Sequence, residues 1–268
     1  MLVRSGIRET FGKALLPSMG ALSKPRSLMN GADSLDEPHT LVFDLDGTMI
    51  DSSGDVTRAL NSLLIRKGYK GPSLSEKIVR PMIGDGMTAL IKRAIQEASL
   101  EAPTGKDAEM ELVDALAAIY DKQDYSSTML LPFVKETLHL LKEENGHICV
   151  VATNKDQIPT EQILEHFGLS NIFASVVGGN FLPIQKPHAG HLITAVEMGG
   201  GDVNRACMVG DGHNDVLVAQ AAHVPVIALD WEYGYSKLPL EELRPTKIVK
   251  SFEEIPDALE KLVDASMY

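Results

Sequence analysis

The chain carries two carboxylates two residues apart in Phe43-Asp44-Leu45-Asp46-Gly47-Thr48, directly after the apolar run Leu41-Val42-Phe43. An apolar run that breaks into Gly-Thr reads as a buried strand entering a loop, and residues two apart on a strand share a face. Asp44 and Asp46 are therefore expected to leave the sheet on one side. Two carboxylates so close repel and raise each other's pKa unless a cation neutralises them. A hard, oxygen-seeking ion such as Mg2+ answers that need. The plainer reading is a strand followed by an acidic turn, because Asp and Gly are ordinary turn residues.

Three further polar stretches follow apolar runs of strand type. Thr153-Asn154 follows Ile148–Ala152, and Gly210-Asp211-Gly212-His213-Asn214-Asp215 follows Ala206–Val209. Gln185-Lys186-Pro187 lies in the loop after Val177. Together these groups can perform phosphoryl transfer. A carboxylate nucleophile (Asp44) attacks phosphorus and forms an aspartyl phosphate, dividing one hard hydrolysis into two easier steps. A second carboxylic acid (Asp46) protonates the leaving alkoxide and later deprotonates the attacking water. Thr153, Asn154 and Lys186, with Gly47 and Thr48 of the first loop and backbone N–H groups, are the expected grip on the phosphoryl oxygens, aided by the helix that begins after Lys155. Asp211 and Asp44 can hold a magnesium that masks the repulsion between anionic nucleophile and anionic phosphate. Asp215 is expected to orient Lys186 or to lie just behind the metal's ligands. Taken singly, each stretch has a bland alternative: a helix cap, a turn, a solvated loop lysine. An EF-hand is excluded, since neither acidic loop has its Asp-x-Asp-x-Asp-Gly spacing with a terminal Glu.

The elements that must position these residues follow from periodicity. After the aspartate loop, Val56, Leu60, Leu63 and Leu64 mark one helix face, closed by Gly68. Met87, Leu90, Ile91, Ala94 and Ile95 mark a second, and Leu112, Ala115, Leu116, Ile119 and Tyr120 a third. The spacing is helical and the stripes are expected to bury one another. Residues 53–129 thus read as an inserted all-helical subdomain with hinges near Ser52-Ser53-Gly54 and Ser126-Ser127. From Leu131 the pattern alternates strand and helix: a helix over 132–144, strands at 148–152, 174–177, 206–209 and 224–229, a short strand at 248–249, and a last helix over 255–263. Pro225 is expected to push its strand toward an edge or a bulge. Such alternation predicts an α/β fold, a doubly wound parallel sheet covered on both faces, whose ligands bind beyond the carboxyl ends of the strands. The core is expected to comprise residues 38–52 and 130–268.

The 268 residues are 44% hydrophobic and 23% charged, the balance of a globular chain, and no apolar run approaches the ~20 residues that span a bilayer. The net charge of −12 argues against nucleic acid as a partner, and no membrane partner is expected. It also means that an anionic ligand must be held by local positive charge or metal. Cys149 and Cys207, each within a strand-like run and without metal spacing, read as buried reduced thiols. That points to a reducing, cytoplasmic setting. Residues 1–37 lack periodicity and carry a basic bias as far as Met29. They read as a disordered tail or a start placed too early, with an organelle-targeting peptide as the alternative.

The order DLDGT, TN, KP, GDGHND resembles that of the haloacid dehalogenase (HAD) superfamily. The resemblance implies a HAD-like Rossmannoid core and magnesium, with Asp44 as nucleophile and Asp46 as acid/base. It also implies Asp44, a backbone carbonyl of Asp46 and Asp211 on the metal, and Thr153 and Lys186 on phosphate. The helical insertion resembles the small cap of one subgroup. Within it, Met82-Ile83-Gly84-Asp85-Gly86, Ala152-Thr153-Asn154-Lys155 and Gln185-Lys186-Pro187-His188 resemble the phosphoglycolate phosphatases. The reaction implied is hydrolysis of a small phosphate ester, 2-phosphoglycolate first. Alternatives are a sugar-phosphate phosphatase, a β-phosphoglucomutase, a pyrophosphatase, or a catalytically silent phosphate-binding protein. Asp46 argues against a dehalogenase, which has no need of a second acid. Specificity is expected in the cap, from Arg80, Gly84 and Asp85, with Arg80 the expected partner of a substrate carboxylate.

Overall fold

The structure, a computed structural model, describes residues 38–236 and 238–266. The expectations for residues 1–37 lie outside the described residues. Six strands form one parallel sheet in the order β5-β4-β1-β6-β7-β8. They are β1 (Thr40–Phe43), β4 (Ile148–Ala152), β5 (Ser175–Val177), β6 (Ala206–Gly210), β7 (Val226–Leu229) and β8 (Lys247–Val249). The chain winds from β1 outward through β4 and β5, then crosses back to place β6, β7 and β8 on the other side. β1 thus stands where the winding reverses, the place at which open α/β sheets form their ligand crevice.

Alternate residues of the strands feed two cores, because side chains on a strand point to opposite faces. Leu41, Phe43, Cys149, Val151, Cys207, Val209 and Ile227 pack on one face with Ile163 and Leu164 of α6 (Gln157–His166) and Ile255 of α9 (Ile255–Ser266). Val42, Val150, Ala152, Met208 and Val226 face the other way, onto α7 (Ala189–Met198) and α8 (His213–Ala222). The doubly wound sheet expected from the sequence is present, with both faces covered. Phe43 is stacked on Phe252 with ring centroids 5.8 Å apart and meets Phe173 edge-on at 6.2 Å, which fixes the end of β1. Cys149 and Cys207 are buried free thiols, and burial pushes both thiol pKa values up to about 12, where they stay protonated.

Between β1 and β4 runs a two-stranded antiparallel ribbon, β2 (Ile50–Asp51) with β3 (Met129–Leu130). It carries the helices α1 (Ser53–Arg66), α2 (Glu76–Val79), α3 (Gly86–Glu97) and α4 (Lys106–Tyr120). The ribbon was not legible in the sequence: two residues are too few for a period-2 pattern. Asp55, fully buried in α1, accepts from the Thr128 hydroxyl at 2.6 Å and the Ser127 N–H at 3.2 Å, tying the outgoing chain to the incoming one beside the expected hinges.

Two expectations need correction. Pro225 does not place its strand at an edge: β7 lies between β6 and β8. The proline stands just before β7, where its carbonyl accepts from Met208 N–H at 2.9 Å and its missing N–H costs no ladder bond. The helix expected over 132–144 is α5 (Val134–His139), which then widens into a π turn at Leu140–Glu144. Among the described residues, no helix is long and apolar enough to cross a membrane.

Candidate active site

Register brings the site together. Phe43 is level with Val151 of β4 and Val209 of β6, so the residues that follow leave the sheet at one rim. Asp44 N–H still donates to Val209 carbonyl at 3.0 Å, holding the first carboxylate in line with the sheet. Asp44, Asp46, Thr153, Asn154, Lys186, Asp211 and Asp215 are all buried there. The turn beyond β1 depends on Gly47, whose φ is +85° and where a Cβ would stand 2.5 Å from Asp211 Oδ2.

Asp44, Asp211 and Asp215 offer carboxylate oxygens that all lie within 4.8 Å of one another. Lys186 Nζ lies 2.8 Å from Asp44 Oδ1 and 2.7 Å from Asp215 Oδ1. Burial works against the Lys186 ammonium, but Asp215 and Asp44 outweigh it and raise its pKa. One lysine does not balance three acids. Burial, then the nearness of Asp215 and Asp44, lifts the Asp211 carboxyl well above its usual range, and burial with Asp44 lifts Asp215 to about 6. An all-oxygen set carrying uncompensated negative charge fits a hard divalent cation such as magnesium. Asp44 and Asp211 would hold it. Thr48 and Tyr235 orient Asp211: the Thr48 hydroxyl donates to Oδ1 at 2.7 Å and the Tyr235 N–H to Oδ2 at 2.6 Å. Asp215 binds Lys186 with one oxygen and accepts the Gly212 N–H at 2.9 Å with the other.

Asp46 turns its carboxylate away from this cluster. It accepts from the Ser52 hydroxyl at 2.5 Å and faces Lys155 Nζ, 3.2 Å from both oxygens. Asp44 and Asp46, only two residues apart, thus occupy separate electrostatic settings. Both line a cavity of ≈60 Å³ closed from above by α1, α3 and α4 through Val56, Met87, Leu90 and Leu116. Thr153 and Lys155 line it from the core.

Several expected roles are placed differently. Arg80 does not line the cavity; its Nη2 lies 2.9 Å from Asp51 Oδ2 and donates to Tyr233 carbonyl at 3.2 Å. Asp85 does not line the cavity either. It pairs with Arg93, lies 3.2 Å from His213 Nε2, and accepts the Asn214 amide at 2.7 Å. The Asn154 amide donates to the carbonyls of Gly84 (3.0 Å) and Lys186 (3.1 Å), joining two loops, while the residue lines the cavity. Gly84 does line the cavity, but its carbonyl is held by Asn154 and, at 3.1 Å, by Asn214. Gly47 N–H is bound to Ile50 carbonyl at 2.8 Å, and the Thr48 hydroxyl donates to Asp211.

The loop after β7 was missed. Trp231 donates to Gly47 carbonyl at 2.9 Å, and the Tyr235 hydroxyl donates to Asp51 Oδ1 at 2.7 Å. A signal existed: three aromatic residues, Trp231, Tyr233 and Tyr235, cluster directly beyond a strand end.

Comparison with known proteins accords with this geometry. The model of the haloacid dehalogenase-like hydrolases matches residues 41–229, from β1 through the end of β7. A phosphoglycolate phosphatase of Agrobacterium fabrum is 34% identical over 224 residues, 83% of this chain and 93% of that protein. One from Caulobacter vibrioides is 35% identical over 219 residues, covering 82% and 90% respectively. The crystal structure of a predicted phosphoglycolate phosphatase from Haemophilus somnus superposes with a TM-score of 0.70 at 30% identity, covering 82% of this chain and 97% of that one. The matched span contains all four strand-end stretches, from Asp44 to Asp215, and the helices inserted between the first two. The chain belongs to the haloacid dehalogenase-like hydrolase family.

Proposed function

We propose that the protein is a magnesium-dependent phosphomonoesterase that works through an aspartyl phosphate and hydrolyses 2-phosphoglycolate to glycolate and phosphate. Residues 53–129 act as its cap and residues 38–52 with 130–268 as its core. The observation that carries the reading is the division of labour between Asp44 and Asp46. One carboxylate sits among Lys186, Asp211 and Asp215, while the other faces the cavity beside Ser52 and Lys155.

An Asp44 oxygen bonds to phosphorus as the ester P–O bond breaks, and Asp46 gives its proton to the departing alkoxide. Water then attacks phosphorus from the cavity and gives a proton to Asp46, and the Asp44–phosphorus bond breaks to release phosphate. Lys186 holds both Asp44 and a phosphoryl oxygen, and the Thr153 hydroxyl serves a second oxygen. Bound magnesium supplies positive charge that offsets repulsion between the carboxylate and the phosphoryl group.

The relatives' names support phosphoglycolate as the substrate. The test is phosphate release from about twenty small phosphomonoesters with magnesium present. Fastest turnover of 2-phosphoglycolate is expected. Activity on none of them would end the reading, and faster isomerisation of glucose 1-phosphate would replace it with a mutase.

A further inference from the structure

A substrate that carries a carboxylate besides its phosphate brings extra negative charge into a cavity already lined by Asp44, Asp46 and Asp156. Some cation must receive it. The two arginines near the cap's glycine loop are committed elsewhere, Arg80 to Asp51 and Arg93 to Asp85, and neither lines the cavity. Among the described residues, the cation lining that cavity is Lys155.

Lys155 is built in. Its side chain is 8% exposed, and its Nζ lies 3.2 Å from both oxygens of Asp46 and 4.8 Å from the centroid of the Tyr120 ring. Tyr120 stands at the C-terminal end of α4 and lines the same cavity. Its hydroxyl is buried and interacts with the Lys155 ammonium, so the two groups face the cavity as one unit.

We propose that Lys155 and Tyr120 form the subsite for the substrate's carboxylate. The Lys155 ammonium turns from Asp46 to that carboxylate when substrate enters, and the Tyr120 hydroxyl donates to it. The inference rests on the phosphomonoesterase reading and deepens it by naming a substrate class. Lys155 touches Asp46, the group assigned to the leaving oxygen, so the carboxylate it reaches lies one or two carbons from the ester oxygen. 2-Phosphoglycolate meets that condition, and so do other 2-phospho-carboxylates. The cap contributes through Tyr120 and the core through Lys155, so the pair is complete only when the cap is closed.

The test compares 2-phosphoglycolate with its neutral amide, 2-phosphoglycolamide, at saturating magnesium. The readout is the ratio of their kcat/KM values, which cancels any effect of Lys155 on the shared chemistry at Asp46. A site built around a charged group rejects the analogue lacking it, so Lys155→Met is expected to lower the ratio about 50-fold, chiefly through the KM of the acid. Tyr120→Phe, which keeps the Asp46–Lys155 pair and removes only the hydroxyl beside the ammonium, should lower it about 5-fold, and Lys155→Arg should retain part of it. Thermal melts confirm that each variant is folded. A ratio unchanged in both variants overturns the subsite, as does equal loss on both esters. Wild-type protein that hydrolyses the two esters equally well also overturns it, while leaving the phosphomonoesterase reading standing. Wild-type protein silent toward both, and toward every other ester, removes both.

Discussion

The side-chain amide of Asn214 donates to Asp85 Oδ1 at 2.7 Å, joining the first turn of α8 to the residue just before α3, one of the helices over the cavity. The same nitrogen reaches Gly84 carbonyl at 3.1 Å, and Asn154 meets that carbonyl at 3.0 Å from the opposite strand end. Two stretches that look purely catalytic in sequence therefore also fasten the cap. If these helices act as the proposed cap, which opens for substrate and closes against water, the polar fastening at Gly84 and Asp85 is the contact expected to break on opening.

Asp85→Ala is expected to loosen this contact. Arg93, His213 and Asn214 each lose a partner, yet the apolar packing of α3 remains. KM for substrate should rise about 5-fold to 10-fold, the effect of losing one or two polar contacts in the closed state only. Hydrogen exchange over residues 83–93 is expected to quicken. Unchanged exchange there would show that Asp85 does not hold the cap.

The sheet and the rim were legible because both rest on local pattern. Strand-like runs ending in Asp44, Thr153 and Asp211 declare themselves as short continuous apolar stretches and by the polar break that follows. The partners of those residues were not legible, since they are set by tertiary contacts between residues 24 to 163 positions apart. Arg80 with its neighbours reads as a free cap cation, and only the fold reveals Asp51 beneath it. Lys155 reads as the third residue of a phosphate motif, and only the fold turns it toward Asp46 and Tyr120. Thr48 and Asp211 lie 163 residues apart, and their 2.7 Å hydrogen bond has no local signature.

Metal addition should stabilise the folded protein. The carboxylates of Asp44, Asp211 and Asp215 repel until a cation joins them. Magnesium at about 100 times its Kd contributes about 2.7 kcal/mol, which for a domain of this size raises Tm by roughly 5–10 °C. Asp211→Asn is expected to lose most of that shift. A variant that keeps it would place the ion elsewhere.

Asp44→Asn should abolish turnover, by about four orders of magnitude or more, because only the nucleophile changes. The new amide still fits beside Lys186, and Tm should stay within about 3 °C. Phosphate release with a residual rate near wild type would show the nucleophile to be misassigned.

Acid should unfold the protein partly through His191. Its ring is fully buried, with Nε2 placed 3.2 Å from Gly178 carbonyl. Burial, then the Lys186 charge, depress its pKa from 6.5 to about 4. A histidine whose folded pKa is depressed is held neutral in the fold. Its contribution is present above pH 6.5 and is lost as pH falls toward 4, where the unfolded chain takes up the proton first. The loss is on the order of 2–3 kcal/mol. His191→Gln removes it, so the stability gap between wild type and variant is expected to shift in the variant's favour between pH 6.5 and 4. Denaturant melts across that range measure the gap, and a gap independent of pH would show that His191 titrates normally.

Tyr235→Phe separates two roles that one residue combines. Its N–H orients Asp211 at 2.6 Å, its hydroxyl donates to Asp51 at 2.7 Å and accepts from Ser52 N–H at 3.1 Å, and its ring lies under the Arg80 guanidinium at 5.2 Å. The substitution keeps the backbone bond and the ring but removes the hydroxyl. Asp51 and the Ser52 N–H then lose a partner beside the hinge, at a cost of about 1–3 kcal/mol. Tm should therefore fall, while the magnesium-induced rise in Tm stays near its wild-type size because Asp211 is still held. If the magnesium response vanishes along with the hydroxyl, the hinge and the metal site are coupled through the Tyr235 side chain and not through its backbone.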